Sequence, residues 1–127
     1  MTGAERIASE RQRQLDKLNW TAEHDDGHAD GALALAAVCY ASPVRLYVVN
    51  EYARGRMYQD PWPWPGEYCD KRFYTAHATA HSSNVPPNPD SFTKAERVDL
   101  LVKAGALIAA EIDRLERVIA ETGGEDG

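Results

Sequence analysis

With 127 residues, 43% of them hydrophobic and 27% charged, the chain has the make-up of one folded domain, with disorder expected only at its ends. Its net charge of −6 and pI near 5.1 argue against non-specific nucleic-acid binding, which calls for a basic face. No run reaches the roughly 18–20 consecutive apolar residues of a membrane span and no signal-like segment opens the chain, so a cytosolic location is expected.

The predicted organisation is a mainly α (α+β) fold: three principal helices, a small β-hairpin and a long Pro/Trp-rich loop. A single compact domain is expected over 1–122, with a disordered Gly-rich and acidic tail at 123–127. Glu5 to Asn19 reads as the first helix, rich in Glu, Gln, Arg, Lys and Leu and free of Gly and Pro. Ile7, Leu15 and Leu18 share one face, but Arg11 and Gln14 stand between them, where a core-facing helix normally carries aliphatics. Arg11 therefore either snorkels outward or points into a polar cavity.

The stretch from Trp20 to Gly31 is a polar, acidic elbow between two helices. His24 and His28 stand four apart with Asp25, Asp26 and Asp30 interleaved, so one helical turn or tight loop could gather imidazoles and carboxylates. Trp20 adds an aromatic face of the kind that carries flat ligands or cations. The plainer account is that these groups cap the next helix and close one end of the core. A metal reading also exists: His24, Asp26 and His28 could hold zinc or manganese and leave a position open for water.

Gly31 to Ala41 is apolar nearly all round and crowded with alanine, which predicts a buried helix that lets neighbouring backbones approach closely, capped by Asp30 or His28. Tyr40 is its polar handle. Ser42-Pro43 ends it. The Val-rich and Tyr-bearing stretch from Val44, with a turn at Arg54-Gly55 and a return through Met57-Tyr58, predicts a hairpin over 44–58. The competing reading is a helix capped by Ser42 and terminated by Gly55.

Three prolines make Asp60-Pro-Trp-Pro-Trp-Pro-Gly66 a stiff extended loop, and its indoles Trp62 and Trp64 are expected to be buried, at a partner surface, or walling a pocket. Lys71 and Arg72 place cations beside them. His77 and His81 repeat the four-residue spacing without nearby carboxylates and read as loop chemistry, and Cys39 and Cys69 read as free thiols. Thr93-Lys-Ala-Glu96 is a capping box, and Leu101, Ala104, Ile108, Ile112, Leu115 and Ile119 follow at spacings of three and four. This final helix, near 30 residues long, spans about 40 Å, more than a domain this size needs, and motivates a homodimer through it.

Glu10-Arg-Gln-Arg-Gln14, the Trp20–Asp26 segment, His28, Gly31-x-Leu-Ala34, Tyr40-Ala41, Asp60-Pro-Trp-Pro-Trp64, Asp70-Lys-Arg72 and Leu101–Ile108 together resemble a family of small phage and prophage proteins. An arginine-bearing helix, Asn19-Trp-Thr21, Asp25-Asp26, a loop and a helix opened by Ala95-Glu-Arg97 are similar in order to the ryanodine-receptor repeat domain, suspected of sensing nucleotide-like ligands. The first resemblance implies a phage protein in the host cytosol. The second implies that Trp20, Tyr40, Trp62 or Trp64 stacks an adenine-like base while Arg11, Lys71 or Arg72 meets phosphate.

No Gly-rich phosphate loop, nucleophile elbow or Cys–His pair is present, so binding is favoured over catalysis and no cofactor is expected. The leading expectation is a protein that binds or sequesters a nucleotide-derived signal in counter-defence, using Arg11, Trp20, His24, Asp25, Asp26, His28, Tyr40, Trp62, Trp64, Lys71 and Arg72. The alternatives are an acidic decoy that inhibits a host protein, or a metal-dependent hydrolase on the His/Asp elbow.

Overall fold

The computed structural model describes residues 1–44, 46–59, 61–64 and 92–123. Four helices, α1 (Gly3–Leu18), α2 (Ala22–Asp26), α3 (Ala32–Ala41) and α4 (Lys94–Glu121), are joined by an antiparallel hairpin of β1 (Val48–Tyr52) and β2 (Gly55–Gln59) placed between α3 and α4. The fold is mainly helical with a small β element, as the sequence predicts. The expectations for Cys69, Lys71, Arg72, His77 and His81 fall outside the described residues.

Both long helices open on a reciprocal cap. The Thr93 hydroxyl accepts the Glu96 N–H at 3.1 Å, and the Glu96 carboxylate accepts the Thr93 N–H at 2.9 Å. Thr2 and Glu5 repeat the device with the same two distances, which starts α1 two residues earlier than its charged run suggests. At its other end α1 stops on Asn19, whose left-handed φ of 57° turns the chain so that the Trp20 N–H bonds back to the Gln14 carbonyl at 3.1 Å. Gly31 (φ 85°) makes the corresponding bend before α3, and the Asp30 carboxylate accepts the Ala32 N–H at 3.1 Å.

Val48 to Gln59 forms strands and not the competing helix. Val48 pairs with Gln59 and Tyr52 with Gly55 across a turn at Ala53-Arg54, one residue before the expected position. Tyr47 and Tyr58 pack edge to face at 5.0 Å on this ribbon.

The core lies between α3 and α4: Leu33, Ala36, Ala37 and Tyr40 on one side, Leu100, Ala104, Leu107 and Ala110 on the other. The alanines facing each other are what brings the two backbones close. Arg97 fastens the top of the pair, its guanidinium donating to the carbonyl of Ala41 at 2.7 Å and to those of Tyr40 and Ser42 at 3.5 Å. It thereby satisfies the free carbonyls at the negative end of α3. Against the expectation of a helix buried all round, α3 keeps an open side, with Leu35 40% and Val38 51% exposed, because α4 covers only the face opposite.

The apolar periodicity of α4 has a double meaning. Of the stripe read from the sequence only Ala104 faces inward; Leu101, Ile108, Ile112, Leu115 and Ile119 are 42–51% exposed. The inward face is instead Leu100, Ala104, Leu107, Ala110 and the aliphatic stem of Arg114, whose guanidinium is held by Glu111 at 2.7 and 3.1 Å. Gly105 receives α1: a Cβ built there would stand 2.7 Å from Cγ1 of Ile7 and closer still to its Cδ1. No helix among the described residues is long and apolar enough to cross a membrane.

Candidate functional site

α1, the elbow, α3, α4 and the Pro-Trp loop converge on a cavity of about 520 Å³. The elbow builds one wall because it folds as a short helix. Thr21 accepts the His24 N–H, and the chain then turns through Gly27, whose N–H reaches the carbonyls of Glu23 and His24. Helical pitch puts His24 and His28 on one side and rotates Asp26, two residues on, to the other.

The result is an unbroken run of touching rings. Trp20 stacks on His24 (centroids 5.1 Å, planes 4° apart), His24 meets His28 at 4.9 Å, and His28 meets Trp64 at 5.2 Å. Trp64 meets Trp62 at 5.4 Å and Trp62 meets Tyr40 at 5.4 Å, both edge to face. Trp20, His24, His28, Tyr40 and Trp64 line the cavity, while Trp62 stands behind them, packed on the core. The two imidazoles of the elbow and the Trp64 indole therefore face one hollow, whereas the elbow's carboxylates and Trp62 do not line it.

The expected site residues divide here. Arg11 and Asp25 do not face this cavity; with Trp20 they line a smaller one of about 220 Å³ on the other side of the elbow. Arg11 is neither a snorkelling surface residue nor a ligand of the main hollow: it lies 3.2 Å from Asp113 and 3.8 Å from the buried Asp25 carboxylate. Asp26 pairs with Arg117 at 2.9 Å, tying the elbow to the far half of α4. The set His24, Asp26, His28 is thus pulled apart by the helical turn, and no group of three His, Cys, Asp or Glu side chains suited to a metal exists among the described residues.

Beside the expected His24, His28 and Tyr40, the lining includes polar residues outside the expected site set, Glu10, Arg13 and Gln14 on α1 and Lys103 on α4, with Leu18 and Leu107 as apolar lining. Glu10, Arg13 and Gln14 sit at helical spacing on one face of α1, the periodic signal that could have marked them. Arg13 grips the Glu10 carboxylate through two bonds of 2.8 and 2.7 Å, and these hold the Glu10 carboxyl below its ordinary pKa against the opposing effect of partial burial. Lys103 stands 6.0 Å from the centre of the Tyr40 ring. With two cationic residues against one carboxylate, the lining leans positive in a chain of negative net charge.

Two carboxylates, Glu10 part-buried and Asp25 buried, contact polar side chains of the lining. Glu10 accepts from the Gln14 amide nitrogen at 3.2 Å, and Asp25, 2% exposed, lies 3.1 Å from His24 Nδ1. Gln14 is 3% exposed, and its Oε1 is closed off from solvent without a hydrogen-bond partner among the described residues. Comparison of the chain with protein-family models, curated proteins and solved structures finds no match.

Proposed function

We propose that this protein is a small-ligand-binding module whose cavity takes a flat, nucleobase-bearing molecule. It would sequester a nucleotide-derived signal in the phage counter-defence setting that the sequence resemblance implies. The observation that carries this reading is the aromatic wall itself. Five rings of three kinds face one hollow of about 520 Å³, inside the roughly 300–1,000 Å³ range of small-molecule sites. Each stacked base is worth about 1–3 kcal/mol on such a surface. Arg13 and Lys103 at the same hollow supply positive charge for an anionic substituent.

The test is titration calorimetry of the full chain with the four ribonucleoside 5′-monophosphates and with cyclic dinucleotides, repeated on Trp20→Ala and Trp64→Ala. Binding that weakens at least about tenfold in both variants supports the reading. Absence of heat with every nucleotide up to millimolar concentration removes it.

A second copy of the chain packed on the outward stripe of α4 is a further part of the proposal. Leu101, Ile108, Ile112, Leu115 and Ile119 recur at alternating spacings of seven, four, three and four along 28 residues of helix, the pattern of a helix–helix seam.

A further inference from the structure

We propose that the cavity selects guests by hydrogen-bond polarity: two of its lining side chains, Gln14 and His24, each keep an uncommitted acceptor, Oε1 and Nε2, and so favour a heteroaromatic ring bearing an exocyclic amino group over the same ring without one. This rests on the ligand-binding reading above and specifies the substituent that the ring must carry.

Neither acceptor is set by its own chemistry alone. A glutamine amide offers both a donor and an acceptor, and a neutral imidazole offers one of each. The Glu10 carboxylate can only accept, so the NH₂ group of Gln14 turns to it at 3.2 Å and the carbonyl oxygen is left over. Asp25 likewise can only accept. At 3.1 Å from Nδ1 it draws the ring proton to that nitrogen and leaves Nε2 as the acceptor of a ring that lines the cavity.

The Gln14 oxygen has no hydrogen-bond partner among the described residues, a situation that is costly for a buried acceptor. The terminal amide torsion of glutamine is broad, so a modest rotation brings that oxygen to a donor on a guest without releasing α1. A guest N–H repairs the deficit. A guest presenting a lone pair in its place leaves two acceptors opposed.

The experiment compares adenosine 5′-monophosphate with purine riboside 5′-monophosphate, which lacks only the amino group, by calorimetry on the full chain and on Gln14→Met and Asp25→Asn. The expected result is that the unsubstituted protein binds the amino-bearing nucleotide at least about tenfold more tightly. Gln14→Met, which keeps the length and loses the acceptor, should bring the two affinities within about twofold of each other mainly by weakening the amino-bearing one. Asp25→Asn should narrow the ratio in the same direction. Equal affinities in the unsubstituted protein, or a ratio that Gln14→Met leaves unchanged, overturn the inference while the binding itself upholds the ligand-binding reading. No binding of either nucleotide overturns both.

Discussion

His28 meets Trp64 edge to face with ring centroids 5.2 Å apart, and through this contact a helix turn at residue 28 is fastened to a proline-bounded loop 36 positions along the chain. The same imidazole also touches His24, so it is the link between the two halves of the aromatic wall. Aromatic pairs of this geometry contribute about 0.5–1.5 kcal/mol beyond their buried area. His28→Ala removes both of its ring contacts and should lower unfolding free energy in urea by about 1–2 kcal/mol, with nucleotide binding weakened in parallel. An unchanged denaturation midpoint would mean the wall is held from elsewhere.

The Glu10 carboxyl gives the protein an acid-sensitive contribution. Arg13 holds its pKa below the ordinary 4.5, so the ionised form is favoured in the folded state. A carboxyl depressed by folding stabilises fully above its unfolded value, and the contribution disappears as pH falls through the folded one. Melting temperature should therefore decline as pH drops below about 4.5, and Glu10→Gln should flatten that part of the profile while lowering stability at neutral pH. Identical profiles for the two proteins would remove Glu10 from the account.

Gly105 is filled from outside its own helix. Ordinarily an alanine in mid-helix is about 1 kcal/mol better than glycine. Here the new methyl would overlap two carbons of the Ile7 side chain, and overpacking of that kind costs about 1–3 kcal/mol. The second effect should win, so Gly105→Ala lowers stability by about 1 kcal/mol. The double variant Gly105→Ala with Ile7→Ala should then be more stable than the sum of the two single changes, a coupling that chemical denaturation of all four proteins measures.

Ile112, 51% exposed on the outward stripe of α4, is the position at which to test self-association. Ile112→Glu puts a charge in the middle of the seam and leaves the inward face of the helix untouched. Light scattering at tens of micromolar should give the mass of a dimer for the unsubstituted chain and of a monomer for the variant, at equal helix content. A monomer in both cases would leave the stripe without this role.

Local signals in the sequence located the ends of elements better than their faces. The Thr93–Glu96 box starts α4 where it reads, and the β-branched run from Val48 forms strands. The face of α4 was not legible, because apolar residues occur on two sides of it and periodicity alone does not say which side meets α3. The elbow was legible as a gathering of imidazoles and carboxylates, but not as a divided one. The alternation of His and Asp looks like one cluster on paper, and the helical turn sends the imidazoles to one cavity and Asp25 and Asp26 to the other side. Gln14 stood out only as a polar residue on an apolar stripe; its meaning depends on Glu10, one turn away, and on rings supplied by three other segments.

All three tryptophans of the chain belong to one run of touching rings. Whatever light the indoles emit after ultraviolet excitation therefore comes from a single neighbourhood, and the colour and yield of that glow describe this neighbourhood. On the proposed ligand-binding reading, that emission would serve as a built-in gauge of occupancy, readable without a label.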